Sequence, residues 1–98
     1  MLTIRKTEEF ERWLRKLRDR RARAKILLRI ERLELGNPGD VASVGDGISE
    51  LRIHDGPGYR VYFVQRGMIL IILLCGGDKS TQTTDIAAAK RLAQELED

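Results

Sequence analysis

The chain has 98 residues, a net charge of +3, 42% apolar and 34% charged residues, and a single cysteine. That suits one small domain, residues 1–98, with one core, and it excludes a disordered chain, an internal disulfide and a cysteine-based metal cluster. The longest apolar run, "MILIILLC", is too short to cross a membrane, and the charged start "MLTIRKTEEFERW" is no signal peptide, so a cytoplasmic protein without membrane contact is expected.

Residues 2 to 5, "LTIR", alternate weakly and predict a short first strand. Thr7 suits a helix N-cap, with Glu8 and Glu9 favourable in the first turn. Phe10, Trp13, Leu14 and Leu17 then recur at helical spacing. "RDRRAR" is expected to bend the chain into a second helix whose apolar stripe is Ala22, Ile26, Ile30 and Leu33, with Leu27 beside it. "GNPGD" stops that helix, because Gly36 suits a left-handed C-terminal position and Pro38 cannot continue it. "VASVGDG" reads as a loop. "ISELRIH" (48–54), "YRVYFV" (59–64) and "MILIILLC" (68–75) read as three strands joined by short turns, hence an antiparallel meander. The last is apolar on both faces and should lie inside the sheet, covered on both sides. Thr84 is the expected cap of a final helix, with Asp85 in its first turn and a stripe of Ile86, Ala89, Ala93 and Leu96. The order β-αα-βββ-α defines an α+β fold, with a helical hairpin and a C-terminal helix packed on a small, mainly antiparallel sheet.

Charge is distributed unevenly. Ten Lys/Arg between Arg12 and Arg32 face only Asp19 and Glu31, so this segment carries 10 − 2 = +8 and the remainder 3 − 8 = −5. Such a block, with Arg20, Arg21, Arg23 and Lys25 at its densest, suits a polyanion such as RNA or an acidic protein partner, or is a solvated helix face.

An arginine inside an aromatic strand, Arg60 in "DGPGYRVYFVQRG", needs water, an acid or an anionic ligand. Leu51 and Ile53 are the apolar set of their strand, leaving Glu50, Arg52 and His54 on the other face. Val61 and Phe63 do the same for the next strand, leaving Arg60, Tyr62 and Val64. A four-residue loop at 55–58 would pair His54 with Tyr59 and turn Arg60 into the core. An odd loop or a bulge places Arg52 and Arg60 side by side on the open face, in a polar patch with His54 and Tyr62. Two adjacent arginines suit a phosphate, unless Glu50 or Asp55 neutralises one of them and the patch is ordinary surface. Lys79, in the loop "GGDKS", could reach the same end of the sheet. That loop lacks the spacing of a Walker motif, and one histidine with one cysteine builds no usual zinc site, so neither cofactor nor metal is expected.

"GNPGDVASVGDGISELRIHDGPGYRVYF" followed by "LLCGGDKSTQTTDIAAAKRLAQEL" resembles the RelE/ParE toxin superfamily, in its HigB-like, Gp49-like addiction-module branch, over nearly the whole chain. The resemblance implies the toxin of a type II toxin–antitoxin system. It also implies a cognate antitoxin with a helix-turn-helix domain, through which alone operator DNA would be reached. RelE- and HigB-like members cut mRNA on the ribosome and so inhibit translation. ParE-like members inhibit DNA gyrase on the same fold, without nuclease activity, so fold alone does not choose the activity. Carried over to this chain, the resemblance makes Arg60 the contact to the scissile phosphate, Arg52 and His54 the basic residues of the preceding strand, and Lys79 the basic loop. RelE has a tyrosine near its C-terminus that acts in proton transfer. Here no tyrosine follows Tyr62, so the general base is unassigned, with His54 the candidate.

Overall fold

The structure, a computed structural model, describes residues 1–96. The elements run β1 (Thr3–Lys6), α1 (Glu8–Lys16), α2 (Arg20–Glu34), β2 (Val41–Gly45), β3 (Ile48–Ile53), β4 (Tyr59–Arg66), β5 (Leu70–Asp78), a 3-10 turn (Lys79–Thr81) and α3 (Gln82–Glu95). The five strands form one sheet in the order β1-β5-β4-β3-β2, antiparallel except for β1 alongside β5. The expected α+β architecture is present, with one strand more than the sequence pattern suggested.

That strand is β2. "VASVG" reads as a loop because its residues are small and half-exposed, and it pairs on one side only, with β3. Its turn carries the stronger signal: Gly45, Asp46 and Gly47 all have positive φ, and an Asp-Gly step between extended segments favours a tight hairpin.

Thr7 caps α1 by accepting from the Phe10 amide at 3.1 Å, and its hydroxyl donates to the Leu74 carbonyl at 2.5 Å, tying the helix start to β5. The helix breaks at Leu17, and Asp19 caps α2 by accepting from Ala22 N. The stripe Ala22, Ile26, Ile30 and Leu33 is buried as the spacing requires, and Gly36, at φ 87°, takes the left-handed position behind α2. The hairpin covers one face of the sheet, where Phe10 and the α2 stripe pack on Leu51, Ile53, Tyr59, Val61, Phe63, Ile71 and Leu73.

The other face is not open. There α3 packs Ala89, Leu92 and Ala93 on Ile48, Tyr62, Val64, Leu74 and Cys75. The helix begins at Gln82 rather than at the expected Thr84, because Asp78 already turns the chain by accepting from Ser80 N at 2.8 Å. Leu96, placed on the buried stripe by its spacing, is 47% exposed, and Leu92 is buried instead. A bulge in β5 opposite Tyr62/Phe63 turns both Leu74 and Cys75 toward α3. Beyond it, Gly76 and Gly77 have no room for a side chain: a Cβ would strike the Trp13 ring at Gly76 and the Asp85 carboxylate at Gly77. Among the described residues no helix is long and apolar enough to cross a membrane.

Candidate functional site

The β3–β4 connection sets the site. Pairing ends at Ile53 opposite Tyr59, so the loop comprises residues 54–58, an odd number, and Arg52 comes directly opposite Arg60. Gly56 and Gly58, both at positive φ, make this turn possible around Pro57. The two arginines therefore share a face, as strand parity requires. That face is the one under the start of α3, so Arg60 keeps only 13% of its side chain exposed and Arg52 keeps 37%.

Glu50 lies between them, fully buried. Its carboxylate accepts from Arg52 Nε at 2.8 Å, Tyr62 OH at 2.9 Å and Gln82 Nε2 at 2.8 Å, and Arg60 Nε lies 3.4 Å away as an ion pair. Burial is the strongest single influence on this carboxyl and pushes its pKa up. The hydrogen bonds from Arg52, Gln82 and Tyr62, with the charge of Arg60, outweigh it and hold the group below its ordinary value. Tyr62 is driven up in turn, by burial first and by Glu50 next, so its phenol remains a donor. A buried carboxylate with this many donors is a fixed counter-charge, and it orients both guanidinium groups.

The end of β5 completes the cluster. Lys79 is exposed and lies, like Arg60, beside Gly58: a Cβ there would lie 3.7 Å from Lys79 Cβ and 3.8 Å from Arg60 Nη1. Gly77 is the β5 neighbour of Arg60, and the Asp85 carboxylate lies over it, accepting from Thr81 Oγ1 at 2.5 Å. Burial raises the Asp85 pKa against the opposing pull of that bond. Asp78 is held low, first by the Ser80 hydroxyl. Three cations (Arg52, Arg60, Lys79) and three carboxyls (Glu50, Asp78, Asp85) thus lie around this end of the sheet. Beneath it, burial pushes the Cys75 thiol up to about 12, which makes it an inert core group.

Of the residues expected in the patch, the structure brings Arg52, Arg60, Tyr62 and Lys79 together. It does not bring His54. Ladder pairing stops at Ile53, and Asp55 N turns back to the Ile53 carbonyl at 3.0 Å, so strand alternation no longer governs position 54. The His54 ring pairs with Asp40 and lines a groove with Lys25, Leu28, Arg29, Arg32 and Ile53, beside the helical hairpin. In the basic block, Arg20 and Arg21 are exposed, Arg23 donates to the Leu17 carbonyl, and Lys25 pairs with Asp55 at 3.3 Å.

Neither Gln82 nor Asp85 is expected at the site from the sequence, where Asp85 reads only as a first-turn acid of the last helix. Gln82 has no marker there, since its role depends on where α3 crosses the sheet. Asp85 had one: the paired glycines at 76 and 77 signal that something presses on β5 from each face.

A family model described as Phage derived protein Gp49-like (DUF891) matches residues 12–97. An uncharacterized protein of Haemophilus influenzae is 59% identical over 95 residues, which covers 97% of this chain and 96% of that protein.

Proposed function

We propose, for a chain that belongs to the Phage derived protein Gp49-like family, a toxin-like family related to RelE and HigB, that it is the toxin of a type II toxin–antitoxin pair and cuts mRNA on the ribosome. The observation that supports the nuclease reading is the pair Arg52–Arg60, opposed across two strands and oriented by Glu50. Cleavage within RNA needs no cofactor. The 2′-hydroxyl attacks its own phosphate, the 2′-O–P bond forms, the P–5′-O bond breaks, and one proton leaves the 2′-oxygen while another reaches the 5′-oxygen. Alignment and charge stabilisation supply most of the rate.

In this reading Arg60 and Arg52 face the negative charge that develops on phosphorus. Lys79 holds the backbone or protonates the leaving oxygen. Asp85, one strand away from Arg60 over Gly77, takes the proton-accepting role that the sequence left to His54. Arg20 and Arg21, exposed at the start of α2, contact ribosomal RNA, with Arg23 and Lys25 behind them. The cognate antitoxin carries the helix-turn-helix domain. Primer-extension mapping of mRNA in cells expressing the chain tests this: breaks in register with the reading frame support ribosomal cutting. SOS induction without breaks would assign the protein to gyrase instead.

A further inference from the structure

The outward face of α2 is built unlike that of a solvated helix. A helix packed by one stripe normally turns polar residues to water. Here Ala24, Leu28 and Leu35, spaced i, i+4 and i+11, run along the side opposite the buried stripe, with Leu27 at their margin. Leu27, Leu28 and Leu35 are 41%, 44% and 65% exposed. Leu28 also forms, with Ile53, the apolar floor of a groove of about 290 Å³ between α2 and the end of β3, rimmed by Lys25, Arg29, Arg32 and His54. The rim is pre-formed on three sides. Arg29 donates to the carbonyls of Arg52 (2.6 Å) and Pro38 (2.9 Å), Lys25 pairs with Asp55, and His54 pairs with Asp40. Arg32 makes no ion pair among the described residues.

We propose that this stripe and groove dock an acidic amphipathic helix of a protein partner, with an apolar side chain seated between Leu28 and Ile53 and carboxylates set against Arg29 and Arg32. Leucines exposed beside cations gain nothing from phosphates, and residues 20–35 contain no aromatic side chain on which a base could stack. A second copy of the chain fits poorly. α2 carries Arg20, Arg21, Arg23, Lys25, Arg29 and Arg32 against only Glu31 and Glu34, and a two-fold contact would oppose like charges. Apolar side chains ringed by one sign of charge match the partner helix in both hydrophobicity and charge. The proposal rests on the toxin–antitoxin reading for the identity of its partner, the product of the adjacent gene.

Calorimetric titration of the purified chain with that product tests both. The wild type binds. Leu28→Gln with Leu35→Gln weakens binding by at least about 30-fold, and Arg32→Glu by about 10-fold, as for residues central to an interface. Both variants should melt like the wild type, since the altered side chains are outside the core. Wild-type binding with both variants unchanged would overturn the surface and leave the toxin–antitoxin reading standing. No binding by the wild type would overturn both. Normal partner binding with lost affinity for ribosomes would assign the face to RNA, and a wild-type dimer abolished by the leucine changes would assign it to a second copy. Either result overturns the proposal.

Discussion

Arg52 and Arg60 stand directly opposite each other on β3 and β4, and one buried carboxylate, that of Glu50, serves both, 2.8 Å from the first and 3.4 Å from the second. Two guanidinium groups placed this way repel without a counter-charge. A surface acid would satisfy them loosely, whereas a buried one fixes their direction. The arrangement leaves the pair one net positive charge and a defined geometry, which suits a single phosphate approaching from the edge under α3.

Glu50 is therefore expected to dominate the acid stability of the fold. Its folded pKa lies below the ordinary 4.5, so its contribution is complete above about pH 4.5 and is lost as the pH falls through the folded value. Glu50→Ala leaves two arginines, a phenol and an amide without their acceptor, and should cost about 3–5 kcal/mol. Urea titrations between pH 3 and 7 check both: Glu50→Gln should flatten the acid limb as well as lower the plateau.

Gly77→Ala should destabilise by about 1–3 kcal/mol through overpacking, because its Cβ enters the Asp85 carboxylate. Gly76→Ala should act from the other face and displace Trp13, with a shift in tryptophan fluorescence that Gly77→Ala lacks. Equal spectra for the two variants would contradict the placement of the glycines between two helical layers.

Cys75 should resist alkylation. With its thiol pushed up to about 12, almost none is ionised at pH 8, and it is buried. Iodoacetamide at pH 8 should label the protein only in denaturant. Rapid labelling of the native form would show that α3 opens readily over β5.

His54→Ala should leave single-turnover RNA cleavage within about threefold of wild type, because a side chain outside the reacting cluster shifts energies by little more than about 0.5 kcal/mol. A loss of 100-fold or more would restore His54 to the site.

Strand parity made the Arg52–Arg60 juxtaposition legible, since the apolar sets at 51, 53, 61 and 63 permit only one register family. The same rule overreached at His54, because alternation holds only while the ladder continues, and β3 ends at Ile53. Both helical stripes of the hairpin were legible from periodicity. What covers the second face of the sheet was not: Tyr62 and Val64 look like members of an open patch until α3 is known to cross them. Glu50 appeared only as a neutralising neighbour, since nothing local distinguishes a surface glutamate from one buried under Gln82. β2 was hidden by its small residues, although the Asp46-Gly47 step marked its turn.

Single-turnover cleavage of mRNA on programmed ribosomes, with wild type and Arg60→Ala compared at matched fraction folded, tests the central claim most directly. Arg60→Ala leaves Glu50 its bonds to Arg52, Tyr62 and Gln82, so the variant should fold, at a cost of about 1–3 kcal/mol. Its cleavage rate should fall by about 10²–10³, the effect of removing one preorganised donor to developing charge. Arg60→Lys should recover only part of that, because an ammonium lacks the planar two-point contact. Cleavage at the wild-type rate by folded Arg60→Ala, or no ribosome-dependent cleavage by the wild type, would contradict the account.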